Sequence, residues 1–172
     1  GLLDATNIEQ ARDKWRLRIP RDYQKLKEYL KRPIRVCGMV KNDGDPGGGP
    51  FWSLDKYTGE SLQVVESAHV NTKEMRQDMI LNSATHFNPV DLVCSTRDYK
   101  GKKIELTDFI DENQYFISNK SISGQSIKAL EWPGLWNGAM AHWITVFVEV
   151  PNATFNPVKV VPDLLKANHL PV

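Results

Sequence analysis

The sequence predicts an α/β fold, a mixed sheet flanked by helices, in a single domain over residues 1–172. Three observations carry this expectation. Apolar runs of strand length, rich in β-branched residues, recur at 34–40, 90–95 and 144–150. Segments with apolar residues at helical spacing, 23–30 and 72–81, lie between them. Two further strand-like runs, 51–54 and 62–67, flank a turn containing Thr58-Gly59 and read as a hairpin, so the sheet is not wholly parallel.

Taken in order, residues 6–17 read as a helix: Thr6 or Asn7 can cap it, and Ile8, Ala11 and Trp15 share a face. Ile19-Pro20 breaks this helix. Residues 23–30, with Leu26, form a second, short amphipathic helix that Arg32-Pro33 ends, so 1–31 is a helical N-terminal segment. The run 34–40 is a strand buried on both faces, with Arg35 the exception. Residues 72–81 form a helix with Met75, Met79 and Ile80 inward, and 99–103 form a basic turn. Residues 107–125 are weakly patterned, with Phe109, Ile110, Phe116 and Ile117 buried. Strands at 127–130 and 144–150 bracket a short helix at 136–143, and 162–168 closes the chain as a helix with Pro162 in its first turn.

Composition narrows the function classes. Hydrophobic content of 41% and charged content of 25% are those of an ordinary globular domain. A net charge of +1 supplies no global field for nucleic acid or an anionic membrane, so neither is an expected partner. No apolar run approaches the roughly 20 residues that cross a bilayer. Gly1-Leu2-Leu3-Asp4 is not a signal peptide, so the reading is cytoplasmic. Cys37 and Cys94 then read as buried free thiols. Asn119-Lys120-Ser121 and Asn152-Ala153-Thr154 match the glycosylation pattern without meaning in that compartment. His69, His86, His142 and His169 show no metal-ligand spacing, and no serine-nucleophile elbow is present.

Some residues stand out locally. Residues 42–50, Asn-Asp-Gly-Asp-Pro-Gly-Gly-Gly-Pro, form either an anion-binding nest of backbone N–H groups or a surface turn. They match neither the phosphate-loop nor the dinucleotide motif. Glu66 ends an apolar strand, where its carboxylate can accept from sugar hydroxyls or simply leave the sheet for solvent. Asn88, before Pro89, offers a donor and an acceptor at a strand mouth, or caps the turn. Trp132, Leu135, Trp136, Met140 and Trp143 read as core rather than a ligand platform. Lys159 follows Phe155-Asn156-Pro157-Val158, where a single cation would meet an anionic ligand such as phosphate.

In order, these blocks resemble the second half of the catalytic domain of UDP-sugar pyrophosphorylases, especially the UDP-N-acetylhexosamine type. Gly48-Gly49 before Phe51, then Gln63-Val64-Val65-Glu66-Ser67, is similar to that family's glycine and Val-Val-Glu-Tyr segment. Phe87-Asn88-Pro89-Val90-Asp91 is similar to its Phe-Asn-x-x-Asn, and Phe155 to Lys159 to its Phe-x-Pro-Leu/Val-Lys. A fuller resemblance, covering nearly all of the chain from Arg32 onward, is to the C-terminal part of a bacterial family of unknown function. Its longer members carry a nucleotidyltransferase-like first half.

The resemblance implies a glycosyltransferase-A-like nucleotidyltransferase fold, with 32–172 its sugar-side half. It places sugar binding on Gly48, Gly49, Glu66, Asn88 and Asp91, and phosphate contact on Lys159 as the catalytic residue. The implied reaction, attack of a sugar-1-phosphate on a nucleoside triphosphate, rests on positioning and charge neutralisation. It implies a nucleotide sugar or sugar phosphate as ligand, and no metal or other cofactor held by this chain, with Mg2+ entering only in a full-length protein. The family's Gly-rich nucleotide loop and metal-binding Asp have no counterpart here, and Gly1 reads as a tag remnant. The chain is therefore expected to be a catalytically silent fragment whose partner is the N-terminal half of the same protein. Two departures, Ser67 for Tyr and Asp91 for the second Asn, motivate the alternative of a non-catalytic binding or scaffold domain with a decayed site.

Overall fold

A computed structural model of the chain describes residues 7–10, 19–44, 47–55, 59–131, 138–158 and 160–170, the first four by backbone alone. Its centre is β2 (Ile34–Lys41), which pairs in parallel with β9 (Ile144–Glu149) along one edge. Along the other edge two antiparallel segments follow end to end, β6 (Leu92–Ser95) opposite the start of β2 and β5 (His86–Phe87) opposite its end. This is the mixed sheet of the expected α/β class.

A hairpin of β3 (Gly49–Asp55) and β4 (Gly59–Val65) covers one face of that sheet. Leu62 and Val64 of the hairpin, with Trp52, pack on Cys37 and Met39 of β2 and Phe147 of β9. Each such burial contributes about 1.5–3 kcal/mol. The other side of the hairpin, through Phe51 and Val65, receives α2 (Met75–Asn82) with Ile80, Leu81 and Ala84. Helix α1 (Tyr23–Tyr29) precedes β2, and Asp22 caps it by accepting from Lys25 N–H at 2.9 Å. Thus the hairpin, more than the two helices, shields the central sheet.

Several expectations are corrected. The predicted helix over 6–17 is strand β1 (Asn7–Gln10) at its start, paired antiparallel to β3; residues 11–18 lie outside the described ones. A four-residue stretch cannot separate the two periods, and the open edge of β3 decides the matter. In α2, Met75 is 77% exposed and Met79 is also outward; the buried residue is Gln77, which shares a face with Ile80, Leu81 and Ala84. A polar residue at the first position of that stripe misled the phase. The weakly patterned 107–125 contains β7 (Phe116–Ile122), which forms a hairpin with β8 (Gln125–Glu131). Its turn places Ser123 and Gly124 at φ +51° and +80°, and it leaves Ile117 exposed rather than buried. The predicted helices at 136–143 and 162–168 are short 3-10 turns, Gly138–Met140, Val161–Leu165 and Ala167–His169. Met140 and Trp143 are core as expected; Trp132, Leu135 and Trp136 lie outside the described residues.

Cys37 is buried and free, but Cys94 is free and exposed, on edge strand β6. Burial pushes the Cys37 thiol up to about 11, so little thiolate forms there at neutral pH. Iodoacetamide on the native protein is expected to modify Cys94 alone, and both cysteines after denaturation. Intact-mass and peptide mapping of the labelled protein read this directly; modification of Cys37 in the native state would contradict it.

Candidate functional site

Parallel strands β2 and β9 place their carboxyl ends side by side, the position at which ligands bind open α/β sheets. A cleft of about 270 Å³ lies there. Val40 and Lys41 come from the end of β2, Asp43 from the turn after it, and Asn152, Phe155 and Pro157 from the segment after β9. Asp163 and Lys166, from the last turns, complete the lining. Asn152 Nδ2 donates to Asp43 Oδ2 at 2.7 Å, tying the two strand exits together. Lys166 Nζ lies 2.9 Å from Asp163 Oδ1, and Asp163 Oδ2 accepts from Val160 N–H at 2.9 Å.

The residues singled out in the sequence gather next to this cleft. Gly48 abuts Val64 and Glu66 so closely that a Cβ there would meet the Glu66 side chain at 3.4 Å and Val64 at 2.5 Å. Its carbonyl accepts from Asn88 N–H at 2.8 Å. Gly49 is the first residue of β3 and opposes Val65. Glu66 leaves β4 half-buried, with its N–H donated to His69 Nδ1 at 3.1 Å. Gly48, Glu66 and Asn88, spread over forty positions of sequence, therefore form one patch. Phe87, packed edge-to-face on Phe155 at 5.2 Å between ring centroids, stands between the patch and the cleft.

Asn88 itself is tightly committed. It is 4% exposed, and its amide donates to the carbonyls of Gly38 at 2.8 Å and Asp91 at 3.3 Å. Its Oδ1 accepts from Val90 N–H at 2.6 Å. The cause lies in the strand partner of β2. Between Phe87, opposite Val40, and Leu92, opposite Cys37, four residues face only Gly38 and Met39. The chain bulges, Pro89 has no N–H to give, and the Asn88 side chain supplies the donor that the ladder lacks. Gly38 accommodates the bulge, since a Cβ there would lie 3.2 Å from Asp91 Cβ. Val90 takes φ +73°, a strained conformation for a β-branched residue, so the expected strand over 90–95 begins only at Leu92. Asp91 is exposed on the far side of the bulge.

Lys159 lies outside the described residues. Sequence reasoning missed Lys41, Asn152, Asp163 and Lys166, and singled out Asp43 only as part of the 42–50 loop. One signal was available: Lys41 is the first charge after the apolar run of β2 and is followed at once by the Asn42-Asp43-Gly44 turn, which marks the strand's carboxyl end. Among the described residues no group of three or more His, Cys, Asp or Glu is placed to hold a metal ion. No described helix is long and apolar enough to cross a membrane.

A family of unknown function, the DUF4301 domain, matches residues 2–170. The chain belongs to the DUF4301 family. No curated protein matches this DUF4301 chain. Solved structures similar to it include a variant UDP-glucose pyrophosphorylase from Leishmania major in complex with UDP-glucose, at 17% identity over 81% of the chain with a TM-score of 0.49. Another variant of that enzyme, also with UDP-glucose, shows 16% identity over 83% of the chain with a TM-score of 0.45. The DUF4301 chain spans 31% and 32% of the lengths of those two proteins.

Proposed function

We propose that this DUF4301 domain is the sugar-phosphate-binding half of a nucleotidyltransferase-like protein. One observation carries the reading. Gly48 and Glu66, named by one block of the pyrophosphorylase-like sequence pattern, and Asn88, named by another, meet in space beside a cleft at the carboxyl ends of two parallel strands. Gly48 lets the Glu66 and Val64 side chains pack against its backbone, and the half-buried Glu66 carboxylate accepts from hydroxyls. Gly49 borders the same patch, Asp91 is exposed across the bulge from it, and Lys159 carries the phosphate in this reading. Any Mg2+ needed for transfer would enter with the nucleotide in a full-length protein, whose N-terminal half completes the site.

Binding, rather than turnover, is the property to test. Ligand-detected NMR with UDP-N-acetylglucosamine and glucose 1-phosphate, with and without Mg2+, is expected to show binding. Glu66→Gln is expected to weaken it at least about tenfold, the worth of one charge-assisted hydrogen bond. An unchanged affinity in Glu66→Gln would sink the reading.

A specific observation favours a second reading, a non-catalytic binding or scaffold domain. Both amide protons of Asn88 are spent on backbone carbonyls, so its side chain has no donor left for a sugar. Absence of binding to every nucleotide sugar and sugar phosphate tried would select this alternative.

A further inference from the structure

We infer that the cleft between the strand exits is a binding site for the phosphate monoester of a small polyol, with Lys41 as the residue that takes the phosphate. The inference rests on the sugar-phosphate reading above only for the polyol part of the ligand; the anion part rests on the cleft itself.

Three of the four charges lining the cleft are already engaged. Lys166 and Asp163 neutralise each other at 2.9 Å, and Asp43 accepts from Asn152 through Oδ2. Lys41 has no hydrogen-bond or ion-pair partner among the described residues. Its ammonium is carried by the last residue of the central strand, which pairs with His86 of β5 two residues beyond the end of the β9 ladder. The pairing with His86 fixes that backbone, so the entropy opposing binding is chiefly the side chain's own.

Size and charge decide the ligand class. At about 270 Å³ the cleft falls just below the span of roughly 300–1,000 Å³ usual for drug-sized ligands, so a single ring with one phosphate fits better than a dinucleotide. Two lysines and two aspartates sum to no net charge, so no surplus field is present for a polyphosphate. Val40, Phe155 and Pro157 form an apolar lining on which the carbon face of a ring can rest. Asp43 Oδ1, bonded to nothing among the described residues, is an acceptor for a ligand hydroxyl.

The test is a backbone-amide NMR titration of the whole chain at low ionic strength with inorganic phosphate, glucose 1-phosphate and glucose. Both phosphates are expected to shift Val40, Lys41, Asp43 and Asn152 saturably, the hexose phosphate binding more tightly than phosphate, and glucose leaving them unmoved. Lys41→Ala is expected to weaken both about tenfold. Lys41→Arg is expected to retain binding, and an unchanged melting temperature shows that each variant folds. Saturable binding mapped to another face, no binding at all, or an unchanged affinity in Lys41→Ala overturns the assignment. The two proposals fail separately. If Glu66→Gln weakens glucose 1-phosphate while Lys41→Ala does not, the Lys41 assignment falls and the sugar-phosphate reading stands. If Lys41→Ala abolishes phosphate binding while Glu66→Gln changes nothing, the reverse holds.

Discussion

Arg35→Ala is expected to lower the unfolding free energy by about 4 kcal/mol, through a cavity and two stranded acceptors. Arg35 is 1% exposed and lies on the same face of β2 as Cys37 and Met39. Its Nε donates to Thr145 Oγ1 at 2.9 Å, and Nη2 donates to Gln63 Oε1 at 2.6 Å. Gln63 Nε2 passes the network on to Ser61 Oγ at 3.1 Å and the Ala141 carbonyl at 2.8 Å. One guanidinium therefore joins β2, β4, β9 and the turn that enters β9. Burial pushes its pKa down, and no carboxylate pairs with it among the described residues. The charge is itself costly to bury, so Arg35→Met, which keeps the length and removes the charge, is expected to cost only about 1–2 kcal/mol. Urea unfolding at constant m, with a fall in melting temperature of about 8–16 °C for Arg35→Ala, checks both values. An Arg35→Ala protein within about 1 kcal/mol of the wild type would contradict the argument.

That residue also shows where sequence reading reaches its limit. The runs of β2 and β9 announce strands through their β-branched apolar residues, although only the face of β2 with Cys37 and Met39 is fully buried, and Gly59 at φ +79° announces the hairpin. A single arginine in such a run looks like a defect, since nothing local reveals that Gln63 and Thr145 wait for it. The same blindness hid the face of α2: Gln77 is inward because of what it meets across the fold. Among the described residues strand β7, Phe-Ile-Ser-Asn-Lys-Ser-Ile, pairs only with β8, and its described side chains from Ile117 to Ile122 include no buried one to impose alternation, so the sequence reading passed over it. Cys94 was misplaced because β6, apolar in composition, is an edge strand with one side open.

The candidate site was legible in part. Gly48, Glu66 and Asn88 could be picked by residue type at the ends of strand-like runs, and the structure brings them together. Lys41 and Asp43 could not be ranked, because a charge after a strand becomes informative only when two strands are known to end side by side. What no pattern conveys is which groups are already spent, and there the residue types alone overstate Asn88.

Asn88→Ala is expected to lower stability by about 3 kcal/mol and the melting temperature by about 6–12 °C. It leaves the Gly38 carbonyl and the Val90 N–H unpartnered at a buried bulge, and it releases the strained Val90 turn. Asn88→Asp keeps the acceptor for Val90 but sets a carboxylate against the carbonyls of Gly38 and Asp91, so at neutral pH it is expected to be no better than Ala. Burial and those carbonyls favour the protonated form, which raises the folded-state pKa of the introduced carboxyl. The native state then binds more protons than the unfolded one, and the Asn88→Asp protein gains stability relative to wild type as pH falls through that pKa. Urea unfolding of wild type, Asn88→Ala and Asn88→Asp from pH 4 to pH 8 would show this as a convergence of Asp on wild type in acid, which Ala does not share. If Asn88→Ala instead kept wild-type stability and lost only glucose 1-phosphate binding, Asn88 would be a ligand contact, and the sugar would have to displace the bonds to Gly38 and Asp91.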